Sequence, residues 1–111
     1  MKRAIKNRFG LLDSDIEAII QTLVKYPKVE QAYIFGSRAK GTFKNGSDVD
    51  IAIKGTGLDL DTLNQISYWL NEETNMPYKF DVLIYENLHE PNLKEHIDRV
   101  GIEFYNKRKE D

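Results

Sequence analysis

Asp48 and Asp50 stand one residue apart in the stretch D-V-D-I-A-I-K, which otherwise reads as a buried strand. Residues two apart on a strand face the same way and lie about 7 Å apart along it. The two carboxylates are therefore expected to project together. A third carboxylate, Asp81, sits between Phe80 and Val82 in a second apolar stretch. If the two strands are neighbours, all three converge. Two carboxylates about 5 Å apart repel by about 3 kcal/mol at an effective dielectric near 20. Either some take up protons or a divalent cation sits among them. Oxygen-only donors suit Mg²⁺, and Mn²⁺ as a second choice. A D-x-D pair at a loop end is also an ordinary turn cap. Asp50, however, is followed by Ile51, Ala52 and Ile53, and Asp is disfavoured inside a strand.

Twelve residues before Asp48, at Gly36, begins the stretch G-S-R-A-K-G-T. Gly36 and Gly41 have the spacing of a P-loop, but Thr42 follows where that loop needs Lys. What remains is a strand ending in Gly36-Ser37 and a sharp turn, with one helical turn over S-R-A-K. Its N–H groups and the Ser37 hydroxyl would face an anion. Gly36 would allow close approach, and Arg38 would add charge. Lys40 reads as solvated.

Around these residues the spacing predicts a helix from Ser14, with a Ser14–Glu17 capping box and an apolar face of Ile16, Ile19, Ile20, Leu23 and Val24. Strands are expected over Val29–Phe35, Asp48–Lys54 and Tyr78–Tyr85. A second helix covers about Asp59–Glu73, with Leu60, Leu63, Ile66 and Leu70 on one face. A third opens at Asn92 and closes at Gly101, and I-E-F-Y supplies a last edge strand. The link Gly36–Ser47 is too short for a crossover helix, so the first two strands pair antiparallel. The expected class is α+β, a mixed sheet with helices packed on one face.

The 111 residues fit one domain, with a core over about 9–105 and a charged tail over 106–111. A net charge of −2 gives no positive footprint for a nucleic-acid backbone. The absence of cysteine excludes disulfides and thiolate metal sites. No apolar run approaches the length of a membrane span. These features are read as those of a soluble cytoplasmic protein.

Gly36-Ser37, a spacer of ten, Asp48-Val49-Asp50 and a later Asp81 resemble the signature of the DNA polymerase β-like nucleotidyltransferases. The fuller stretch F-G-S-R-A-K-G-T-F-K-N-G-S-D-V-D-I-A-I is similar to their minimal branch, the minimal nucleotidyltransferases (MNT). The resemblance implies the mixed-sheet nucleotidyltransferase fold and transfer of AMP from ATP to a hydroxyl, with pyrophosphate released. It further implies a partnership with a helical HEPN protein, the MNT chain acting as antitoxin and modifying a tyrosine. Asp48, Asp50 and Asp81 would then be catalytic and hold two Mg²⁺ ions. Gly36, Ser37 and Arg38 would bind the triphosphate. Two alternatives stay open: an antitoxin that neutralises by contact alone, and a small-molecule nucleotidyltransferase. The chain reads as spent on one core, so the acceptor is expected from another molecule, and homo- or hetero-oligomers both fit. His89 and His96 read as solvated surface, and Trp69 as either a helix flank or a partner surface.

Overall fold

A computed structural model describes residues 7–109. Residues 1–6 and 110–111, the latter part of the expected tail, lie outside the described residues. The elements are α1 (Asp13–Leu23), β1 (Gln31–Phe35), α2 (Gly36–Lys40), β2 (Val49–Lys54), α3 (Leu60–Tyr68), β3 (Phe80–Ile84), α4 (Pro91–Val100) and β4 (Ile102–Asn106). The sheet order is β3-β2-β1-β4. β1 pairs antiparallel with β2 and with β4, while β2 and β3 run parallel. The short β1–β2 link thus produces the antiparallel pair its length demands. The longer β2–β3 link carries α3, as a parallel crossover must.

One face of the sheet holds the large core. Ile34, Val49, Ile51 and Ile53 point there and meet Ile19 and Leu23 of α1 and Ile66 of α3, all with no exposed surface. Each such side chain contributes about 1.5–3 kcal/mol by leaving water. α1 and α3 therefore cover the face that the β2 alternation designates. α4 adds a smaller layer on the other face, seating Ile97 against Phe35 and Ala52. Among the described residues no helix is long and apolar enough to cross a membrane.

Two helix starts differ in detail from the spacing argument. α1 opens one residue before Ser14, and its cap is Asp15, whose carboxylate accepts the Leu12 N–H at 3.0 Å and the Tyr78 hydroxyl at 2.8 Å. Glu17 accepts instead from Gln21. The long-range Tyr78 bond favours Asp15 over the local Ser14–Glu17 box. α3 is capped by Asp59, which accepts the Thr62 N–H at 2.8 Å. Leu60 turns outward at 64% exposure rather than joining the apolar face. A π-helical turn over Trp69–Glu73 ends the helix and carries Asn71 to the outer edge of β3.

Candidate active site

β2 is flanked by β1 on one side and β3 on the other, so Asp50 pairs with Phe35 and with Asp81 at once. Residues side by side in parallel register point to the same face. The Asp50 and Asp81 carboxyls therefore share the face opposite the large core. Asp48 lies just ahead of β2, exposed, and the neighbouring Val49 N–H donates to Lys79 O at 2.9 Å. Asn71 fixes the start of β3: its amide oxygen accepts the Phe80 N–H at 2.8 Å and its nitrogen donates to Phe80 O at 3.0 Å. A side chain thus stands in for a strand neighbour one residue before Asp81, satisfying an edge that would otherwise be open.

The electrostatics match this crowding. Burial, then the negative charges of Asp81 and Asp48, push the Asp50 pKa up from 3.8 to about 6, with the Arg38 guanidinium pulling the other way. Among the described residues no three His, Asp or Glu side chains form a metal-holding group. Asp50 is the shared neighbour of the other two, whose charges both act on it. The donors present are carboxylate oxygens that oppose one another's ionisation. A hard divalent cation relieves such repulsion and takes such donors, so the residues fit one.

β1 ends against this cluster. Gly36 begins α2 with φ of 71°, in the left-handed region that favours glycine. A Cβ added there would fall on the Asp50 Oδ2 atom, so the turn and the carboxylate touch only because no side chain intervenes. α2 is the single helical turn expected over S-R-A-K. It closes at Gly41, with φ of 81°, where the Gly41 and Thr42 N–H groups both donate to Ser37 O. The chain thus reverses at once and is free to re-enter the sheet as β2. Ser47 secures the second turn, its hydroxyl accepting the Lys44 N–H at 2.8 Å.

Arg38 and His96 are placed differently from the sequence expectation. Arg38 is 3% exposed and turned into the scaffold. Its Nη1 donates to Phe9 O at 2.8 Å, and its Nη2 and Nε donate to Ser47 O at 2.9 and 3.2 Å. Phe43 and Tyr78 flank the guanidinium at 5.2 and 5.1 Å. A planar fork of donors suits several carbonyls at once, and here they come from the chain itself. Arg38 therefore holds the residue before Asp48 and biases Asp50 through its field; its donors are not presented to a phosphate. His96, expected at a solvated surface, accepts the Gly36 N–H through Nε2 at 3.3 Å. Nothing in the local sequence marks it, because the contact joins α4 to the end of β1.

Comparison with known proteins gives the family and the fold. A Methanocaldococcus jannaschii protein that carries the name protein adenylyltransferase MJ0435 is 40% identical over 80 residues, covering 71% of this chain and 82% of the relative. A toxin-antitoxin crystal structure with AMP-PNP superposes with a TM-score of 0.70 at 23% identity, covering 85% of this chain and 75% of that one. The toxin-antitoxin MntA-HepT gives 0.65 at 20% identity, covering 88% and 75%. These two structures share the fold. The sequence pattern described as Polymerase beta, Nucleotidyltransferase spans residues 17–110, which take in every site residue named above, and the chain belongs to that nucleotidyltransferase family.

Proposed function

We propose that this nucleotidyltransferase moves AMP from ATP to a hydroxyl, most readily a tyrosine, of a HEPN-type toxin partner in the cytoplasm, and so acts as its antitoxin. The observation that carries the reading is the junction of Gly36, Asp50 and Asp81: a turn open to close approach touches a carboxylate paired with a second. A relative carrying the name protein adenylyltransferase, and structural neighbours that are toxin-antitoxin pairs, one of them with AMP-PNP, support the choice of nucleotide and partner.

In this reading Gly36 admits the triphosphate to the turn and the Ser37 hydroxyl donates to it. The acceptor oxygen attacks the α-phosphorus, the bond to pyrophosphate breaks, and Asp81 takes the hydroxyl proton. Asp48, Asp50 and Asp81 would hold Mg²⁺, with Mn²⁺ as the alternative, which supplies charge neutralisation and a more acidic hydroxyl. Catalysis is then mainly positioning and electrostatics, as is usual for phosphoryl chemistry. Arg38 serves by holding the Asp48 approach.

Incubation of the protein with α-labelled ATP, Mg²⁺ and the HEPN protein tests the proposal. Label is expected on a tyrosine of the partner and is lost with Asp48→Ala or Asp50→Ala. Complete toxin neutralisation by those variants, with no label transferred, would replace the enzymatic reading with neutralisation by contact.

A further inference from the structure

We propose that His96 is a positioning residue for the nucleotide, holding the Gly36 peptide in the conformation that brings the Ser37 turn against Asp50. The proposal rests on the transfer site described above and adds a residue from a different element to it.

Glycine populates positive and negative φ about equally, so a turn that begins on Gly36 has two accessible courses. Only one of them is used, with φ of 71°. Strand pairing ends before Gly36: β2 pairs with β1 as far as Phe35, and β4 only as far as Ile34. Beyond that point α4, the element leading into β4, provides the contact. Ile97 is 3% exposed and seated against Phe35 and Ala52. The adjacent His96 is thereby carried to the end of β1, its ring edge-on to Phe35 with centroids 6.2 Å apart. From there Nε2 accepts the Gly36 N–H at 3.3 Å. A held N–H cannot swing with a peptide flip, so the bond retains the course that the turn needs. Prior ordering of a binding loop raises affinity by lowering the cost of fixing it on binding.

Calorimetric titration of AMP-PNP with Mg²⁺ into the full chain tests this, with melting curves confirming that each variant is folded. His96→Ala is expected to weaken binding about five- to tenfold, the scale of one hydrogen bond. His96→Gln, whose side-chain oxygen can accept the same N–H, restores most of the loss. Glu95→Ala removes an exposed ion pair with Arg99 on the same helix and leaves affinity unchanged. Unchanged or tighter binding by folded His96→Ala, or a glutamine variant as weak as alanine, overturns the positioning role and leaves the transfer site standing. Failure of the wild-type chain to bind AMP-PNP overturns the transfer site itself, and the role of His96 with it.

Discussion

Asp50 and Glu103 lie on the same face of the sheet, and the fold treats their carboxyls in opposite ways. Asp50 is partly buried beside two further aspartates, and its pKa rises to about 6. Glu103 pairs across β1–β4 with Tyr33 and is surrounded by donors. A hydrogen bond from Gln31 at 2.8 Å, with help from Asn106, Lys109 and Tyr33, holds its carboxyl below the usual range despite some burial. Two of its donors, Gln31 and Asn106, also line a cavity of about 650 Å³ with Lys107 and others. In the proposed reading the unrelieved cluster of like charge is the cation site, since a structural carboxylate is placed among donors and a carboxylate among rivals favours a cation.

The strongest way to break that contrast is Asp50→Asn. AMP transfer is expected to fall at least about a hundredfold, the scale of removing one charge-stabilising group. Stability should move the other way. A carboxyl whose folded pKa is raised costs nothing where both states are protonated, below about pH 4, and its cost grows until the pH passes about 6. The full shift would be about 3 kcal/mol, and screening at a partly exposed group leaves about 1–2 kcal/mol. In chelator at pH 8 the asparagine variant should therefore melt about 5–10 °C higher than wild type, and at pH 4 about equally. Equal melting temperatures at pH 8 would show that the cluster is not strained.

Arg38→Lys sharpens the division between scaffold and ligand contact. Losing the fork to Phe9 and Ser47 carbonyls should cost about 2–3 kcal/mol in urea denaturation. The folded variant should bind AMP-PNP within about threefold of wild type, since removing a structural bond perturbs a neighbouring site by only a fraction of its own value. A variant of full stability that no longer binds nucleotide would return Arg38 to the phosphates.

Glu103→Gln is the mildest change. At pH 7 it should lower stability by at most about 1 kcal/mol, with transfer unaffected. Because the folded pKa lies below 4.5, the support is complete above that pH and disappears as acid protonates the folded carboxylate. Melts from pH 7 to pH 3 check the sign, which is the reverse of that at Asp50.

Much of the site was legible because it is local. The period-two alternation of Val49, Ile51 and Ile53 assigned their face to the core and Asp50 to the other. The brevity of Gly36–Ser47 set the first strand pair. The Gly36-Ser37 turn and its resemblance to one family supplied the fold. Arg38 read as a phosphate ligand because a basic residue in a glycine turn is indistinguishable, in sequence, from one that folds back onto carbonyls. His96, Asn71 and the Asp15–Tyr78 bond were invisible for a common reason: each joins elements brought together only by packing.

The amino-acid sequence by itself thus determined which residues bear charge, which strand face they occupy, and where the chain must reverse. These follow from backbone periodicity, glycine stereochemistry and loop length, all of which act over a few residues. The tertiary structure alone decided that Asp81 stands beside Asp50, that Arg38 faces inward, and that α4 reaches the start of the turn. Those outcomes depend on strand order and helix docking, which are fixed when distant apolar surfaces find each other and leave water.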